Sequence, residues 1–180
     1  AKLLRESAMQ GPDKAAAALI TLLETDPKKL DEPTINSAIS GIIDKIAEAN
    51  ATETDKVFEL LGKQGAAGVD VLFDLAGGPD GSPSAAKARA ALARPDVLAR
   101  GSAAMRMAHD LRLASCQQRT FLAPRAAKEG DDRSLMILSA MLPPGCAPQA
   151  SSCCFPKHPE LEKAIADIRA RLRGQPAASP

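Results

Sequence analysis

Apolar residues recur along this chain at intervals of three and four, the spacing that gathers them on one face of an α-helix. The plainest case is Ile35, Ile39, Ile42 and Ile46, which repeat at 4, 3 and 4 positions. Isoleucine is β-branched, yet that period cannot belong to a strand, whose faces alternate every second residue. Pro33 suits the first turn of this helix. Ahead of it, Gly11-Pro12 ends a short helical stretch over Lys2 to Met9. Asp13 then stands where an N-cap is expected, followed by an apolar face of Ala16, Leu19, Ile20 and Leu23. Lys28 to Asp31 reads as a link, so these two helices should lie antiparallel.

Thr52 with Asp55 resembles a capping box ahead of Val57, Leu60 and Leu61. Gly65 to Gly68 interrupts the pattern, and Val69, Leu72, Phe73 and Ala76 resume it as a second short helix. The Gly77-Gly78-Pro79-Asp80-Gly81-Ser82-Pro83 stretch reads as a mobile loop, because it follows a helix pattern and lacks the Lys-Ser/Thr ending of a phosphate-binding loop. Ser82 as N-cap and Pro83 open an Ala-rich helix through Arg94, with Ala85, Ala88 and Leu92 inward. After Pro95 comes the longest expected helix, with Val97, Gly101, Ala104, Ala108 and Leu111 on its inner face and Met105 and Met107 beside them as core filler.

Beyond Cys116, Gln117 to Glu129 is helical by pattern, kinked or divided at Pro124 and closed by Gly130. Asp131 caps a short helix carrying Leu135, Leu138 and Leu142, which Pro143-Pro144-Gly145 stops. Cys146 to Pro156 has no periodicity. Pro159 opens a last helix with Leu161, Ile165, Ile168 and Leu172 inward, and residues 174–180 are expected to be disordered.

Helix pairs thus begin near residues 13, 53, 83 and 117, at the intervals of two-helix solenoid repeats. The expected fold is all-α: a right-handed α-solenoid of about four antiparallel helix pairs with a C-terminal capping helix. It would form one domain over 1–173, with a cysteine-containing terminal repeat and loop over 117–158. With no Trp and no Tyr the pattern is not tetratricopeptide but HEAT or armadillo-like. An aromatic content of 2% also argues against a strand-rich fold.

A formal net charge of +1 supplies no long-range field to recruit nucleic acid or a membrane surface. Residues 1–94 carry 11 Lys/Arg against 14 Asp/Glu, and residues 95–180 carry 12 against 8, a mild asymmetry. Arg100, Arg106, Arg112, Arg119, Arg125 and Lys128 scatter around the helix axis as a solvated surface, without the aromatic residues that single-strand binding uses. No apolar run approaches the roughly 18 residues of a membrane span, so no direct membrane insertion by this segment is expected. The chain opens at Ala1, as a mature or trimmed segment does, which leaves export undecided.

Catalytic motifs are missing: no Gly-x-Ser-x-Gly and no His-Glu-x-x-His. Asp131, Asp132, Glu160 and Glu162 sit at helix starts, where the macrodipole accounts for them. His109 reads as a mid-helix polar residue and His158 as a helix-start residue. No catalytic residue and no cofactor is expected. The chemistry concentrates in four cysteines, Cys116, Cys146, Cys153 and Cys154, with no C-x-x-C pair. Two disulfides are the first reading. A bond between the neighbours Cys153 and Cys154 is strained, so two pairings remain, each tying the irregular loop to Cys116 and to Cys146. Reduced thiols are a second reading. A metal site of Cys146, Cys153, Cys154 and His158 is a third, although Pro156 and Pro159 flank the histidine and the spacing fits no common zinc pattern.

The run Ala108-His109-Asp110-Leu111-Arg112 into Ser115-Cys116, then Gly130-Asp131-Asp132-Arg133-Ser134-Leu135, Gly145-Cys146 and Cys153-Cys154-Phe155, resembles the C-terminal helical module of myxobacterial multidomain proteins such as eukaryotic-like serine/threonine kinases. The likeness covers about the last 75 residues, and nothing of a kinase itself is present. It implies HEAT-type repeats beyond a kinase domain and a membrane span, in an extracytoplasmic setting, periplasmic or at the cell surface. The function expected is a non-enzymatic protein or peptide-binding, scaffolding or sensory module. The alternative is a ligand- or metal-sensing domain using the Cys146 to His158 loop.

Overall fold

Each apolar stripe of the sequence becomes α-helix in the computed structural model, which describes residues 2–143 and 153–174 and has no strand among them. Contacts divide the chain into two compact units, Ala1–Ser102 and Ala103–Pro180.

The first unit holds α1 (Lys2–Met9), α2 (Pro12–Thr25), a 3-10 turn (Pro27–Asp31), α3 (Pro33–Glu48), α4 (Thr54–Lys63), α5 (Gly65–Ala76), α6 (Pro83–Leu92) and the single turn α7 (Pro95–Leu98). Within it α2 packs on α3 and α4, α4 on α5 and α6, and α3 on α5 and α6. The inward residues are those the periodicity selects, with Leu19, Leu23, Ile39, Ile46, Leu61, Leu72 and Phe73 fully buried. Each such side chain is worth about 1.5–3 kcal/mol over leaving it in water.

Two expected caps are replaced. Gly11, at φ 119°, precedes Pro12 and starts α2, so Asp13 falls inside the first turn; its Oδ1 instead accepts a hydrogen bond from Thr52 N at 3.1 Å, 39 residues away. Thr52 and Asp55 form no capping box, because Glu53 holds the N-cap position of α4 without a side-chain cap bond. Thr54, buried, donates its hydroxyl to Ala51 O at 2.7 Å and Ile46 O at 3.2 Å. Ser82 does cap α6, accepting from Ala85 N.

The long helix expected from Val97 to Leu111 is broken at residues 99–102. Polar ties there outweigh helical continuation: Arg100 Nη1 donates to Gly62 O at 2.9 Å, and the Ser102 hydroxyl donates to the Asp70 carboxylate at 2.9 Å.

The second unit holds α8 (Ala103–Leu113), α9 (Cys116–Glu129), α10 (Asp132–Ser139) and α11 (Pro159–Leu172). α8 packs on α9 and α10, and α11 on both α9 and α10. Its core joins Met107, Leu111, Ala123, Ala126, Leu138, Met141, Leu161, Ile165 and Ile168. Met105 and Met107 are fully buried, as fillers of space that unbranched thioethers fit. α9 runs undivided through Pro124, held by the burial of Ala123 and Ala126 on either side. Leu172 is 41% exposed and does not join the core, because α11 ends there.

Arginines close the C-termini of four helices. Arg89 Nε donates to Ala76 O at 3.0 Å and its Nη2 to Gly78 O at 3.1 Å, so the glycine-rich loop is tied at its start. Arg100 serves α4, Arg119 donates to Leu111 O and Arg112 O at the end of α8, and Arg171 donates to Ala127 O and Gly130 O at the end of α9. Carbonyls there lack intrahelical donors and carry the negative end of the macrodipole.

Two glycines make opposite predictions. A Cβ on Gly68 would overlap the Leu61 carbonyl oxygen and press on Gln64 Cβ at 2.8 Å, so Gly68→Ala should destabilise the protein by about 1–3 kcal/mol. Gly41, exposed in α3 with nothing near its Cβ direction, should give a Gly41→Ala variant stabilised by about 0.5–1 kcal/mol. Urea unfolding of both variants checks the pair.

Candidate functional site

The cysteine end of the second unit is built from two helix starts and the segment between them. Ser115 caps α9 in a reciprocal box: its hydroxyl accepts from Gln118 N, and Gln118 Oε1 accepts from Ser115 N at 2.9 Å. This places Cys116 at the first helical position. Phe155 N donates to Met141 O at 2.9 Å, which fixes the returning chain beside the end of α10, and Cys153 and Phe155 pack against the core. Cys116 and Cys153 are joined as a disulfide with Cα atoms 5.1 Å apart.

Of the two pairings open to the sequence, the one containing Cys116–Cys153 is the one adopted. Cys154 is disulfide-bonded as well, and no described cysteine is free. Cys146 and residues 144–152 lie outside the described residues, as does the tail 175–180.

His158 is the N-cap of α11, its Nδ1 accepting from Leu161 N at 3.4 Å while its ring meets Phe155 edge-on at 5.5 Å. The Nδ1 lone pair is thus engaged by a backbone N–H in this arrangement. Sulfurs engaged in disulfides are likewise not thiolates, the form a metal binds. Among the described residues no group of three or more His, Cys, Asp or Glu is arranged to hold a metal ion.

Arg119 borders the disulfide. Its Nε donates to Leu111 O at 2.8 Å, its Nη2 to Arg112 O at 3.2 Å, and its Nη1 reaches Cys153 Sγ at 3.8 Å. Arg125 pairs with Asp110 and Glu129, both at 2.9 Å. The basic residues of this region are scattered and mostly exposed, as expected, and three of them also hold structure: Arg100 and Arg119 satisfy helix ends and Arg125 joins two helices.

The first unit carries a feature the sequence did not announce. An open groove of about 650 Å³ lies along α1, α2, the 3-10 turn and α3. Leu4, Ala18, Leu22 and Ile35 form its apolar lining, and Ser7, Thr21, Thr25, Asp26, Lys29 and Glu32 its polar rim. Lys29 Nζ lies 2.6 Å from Glu32 Oε1 across that rim. Ala18 and Leu22 sit four residues apart on a face of α2 beside the buried stripe, and that spacing is the one signal that could have found the groove. A smaller hollow of about 370 Å³ is lined by Asp44, Glu48 and Asp74 near the glycine-rich loop, where Ser84 donates its hydroxyl to Asp44.

Comparison with family models, curated proteins and solved structures finds no match to this chain.

Two measurements follow from this end of the molecule. The 37-residue separation closed by Cys116–Cys153 restricts the unfolded chain, so Cys116→Ser/Cys153→Ser should lose about 3–4 kcal/mol in urea unfolding. Burial pushes the pKa of His109 down, opposed by Asp110 and reinforced by Arg112. The unfolded chain then takes up the proton first as pH falls, so this residue's contribution is full above about pH 6.5 and declines below it. His109→Gln should flatten that part of a stability-versus-pH curve, and an unchanged curve would refute the assignment.

Proposed function

We propose that this chain is a non-enzymatic helical-repeat module that binds an amphipathic peptide segment of another protein. In this reading it is a right-handed, HEAT or armadillo-like solenoid serving a scaffolding or sensory role within a larger signalling protein outside the cytoplasm. The groove along α1, α2 and α3 is the observation that carries it: open, about 650 Å³, apolar inside and polar at its edge. Grooves of that composition accept the apolar face of a short helix, with residues spaced i, i+3 and i+4 as anchors. The rim bears charges of both signs, which suits a mixed peptide rim better than a polyanion or a bare apolar ligand.

Further support comes from the succession of α2 on α4 and α4 on α6, the neighbour-to-neighbour packing of helical repeats. Disulfides favour an oxidising compartment. Among the described residues no helix is long and apolar enough to cross a membrane. The sensing alternative at the cysteine loop has less support, because the described sulfurs and the His158 Nδ1 are already engaged.

Panning a displayed library of amphipathic peptides against the full chain should enrich sequences with that anchor spacing. Affinity of an enriched peptide, read by fluorescence anisotropy, should fall about tenfold or more in Leu22→Arg while helicity by circular dichroism stays unchanged. A library yielding no specific binder, or binders indifferent to both Leu22→Arg and Ala18→Arg, overturns the reading.

A further inference from the structure

We infer that Cys116–Cys153 is a thiol-exchange site, a disulfide that a small dithiol opens in the folded protein, with Arg119 positioning and stabilising the departing Cys153 thiolate. Most structural disulfides resist such attack, because neither sulfur leaves readily and neither is reachable. Here both residues are only partly buried, and each sulfur has a source of positive potential beside it.

For Cys153 the source is the Arg119 guanidinium, whose Nη1 lies 3.8 Å from Sγ. The cation is in place beforehand: its Nε and Nη2 are bound to the carbonyls of Leu111 and Arg112, so no side chain need be ordered when charge appears on sulfur. For Cys116 the source is the first turn of the 14-residue α9, the positive end of that helix's macrodipole.

The exchange balances as follows. An external thiolate attacks Cys116 Sγ; the sulfur–sulfur electron pair leaves with Cys153, and a mixed disulfide remains on Cys116. The second sulfur of the dithiol attacks the external sulfur of that mixed disulfide, expelling Cys116 as a thiolate and closing the dithiol into its own disulfide. The dithiol gives up two electrons and two protons. The protein takes the electrons, and each freed sulfur accepts a proton from solvent according to pH. The product is the same fold with the chain at Cys153 released from α9, while Phe155 N remains bound to Met141 O. This site lies in the second unit and does not depend on the peptide groove.

The test treats the native full chain with dithiothreitol, blocks free thiols with N-ethylmaleimide at intervals, and resolves Cys116, Cys153 and Cys154 by peptide mass spectrometry. Cys116–Cys153 should open without global unfolding. Arg119→Leu should slow it about 3- to 10-fold, with Arg119→Lys retaining most of the wild-type rate. Since Arg119 also serves the end of α8, a second reading uses the wild-type chain alone: after reduction, Cys153 should react with iodoacetamide at pH 7 several times faster in the folded than in the urea-unfolded chain. Opening only at the rate of global unfolding, equal rates in Arg119→Leu and wild type, or equal alkylation folded and unfolded would each overturn the inference.

Discussion

A short helix leaves its last four carbonyls without donors inside the helix, and in this protein arginine supplies them from elsewhere in the same unit. Arg89 reaches the end of α5, Arg100 that of α4, Arg119 that of α8 and Arg171 that of α9. The planar guanidinium suits the task, because one side chain can donate to two carbonyls at once and stays charged at any relevant pH. Each of these bonds ties a helix end to another part of the same unit. The helices they close are 12, 10, 11 and 14 residues long, a range in which isolated helices are marginal in water. Tertiary ties of this kind therefore decide where each helix stops and how the next one sits against it.

The cores between those ties are aliphatic. Of the four phenylalanines only Phe58 and Phe73 are buried, and Phe121 is 75% exposed, so leucine, isoleucine, alanine and methionine fill the interior. Small residues bring backbones close: Gly68 meets the Leu61 carbonyl, and a Cβ on Gly130 would stand 2.6 Å from both Ala126 O and Ser134 Cβ. Close packing leaves little concavity inside the bundle. Open volume arises at the margin, along α1, α2, the 3-10 turn and α3, and this is where a partner's apolar face would find room.

At the cysteine end the same physics serves a different purpose. Ser115 and Gln118 define the start of α9, His158 the start of α11, and the disulfide joins the first turn of one to the segment that leads into the other. Residues that looked able to bind metal are thereby committed to structure: His158 gives its lone pair to a backbone N–H, and the described sulfurs bond to sulfur. What stays chemically available is the disulfide itself, beside a cation that is fixed by backbone carbonyls rather than by an acidic partner.

The all-α class, the buried stripes of α2 to α6, the caps at Ser82, Asp131 and His158 and the closing of α9 at Gly130 were legible in the sequence, because each follows from contacts within one or two turns. The isoleucine period in α3 needed no partner to be read, since one face of one helix defines it. The roles of Asp13, Thr54, Arg100 and Arg119 were not legible: their partners lie 39, 8, 38 and 8 residues away for the bonds named above, and three-dimensional proximity at such distances leaves no local period in the chain. The break at residues 99–102 escaped for the same reason, as helical spacing from Val97 to Leu111 continues across it while Asp70 and Gly62 hold the intervening chain apart. Tertiary structure also chose Cys153 over Cys154 for Cys116, because neighbouring residues are equivalent in sequence spacing and differ only in which way their side chains leave the backbone. Short-range periodicity thus determined the helices, and long-range polar ties decided where several of them end.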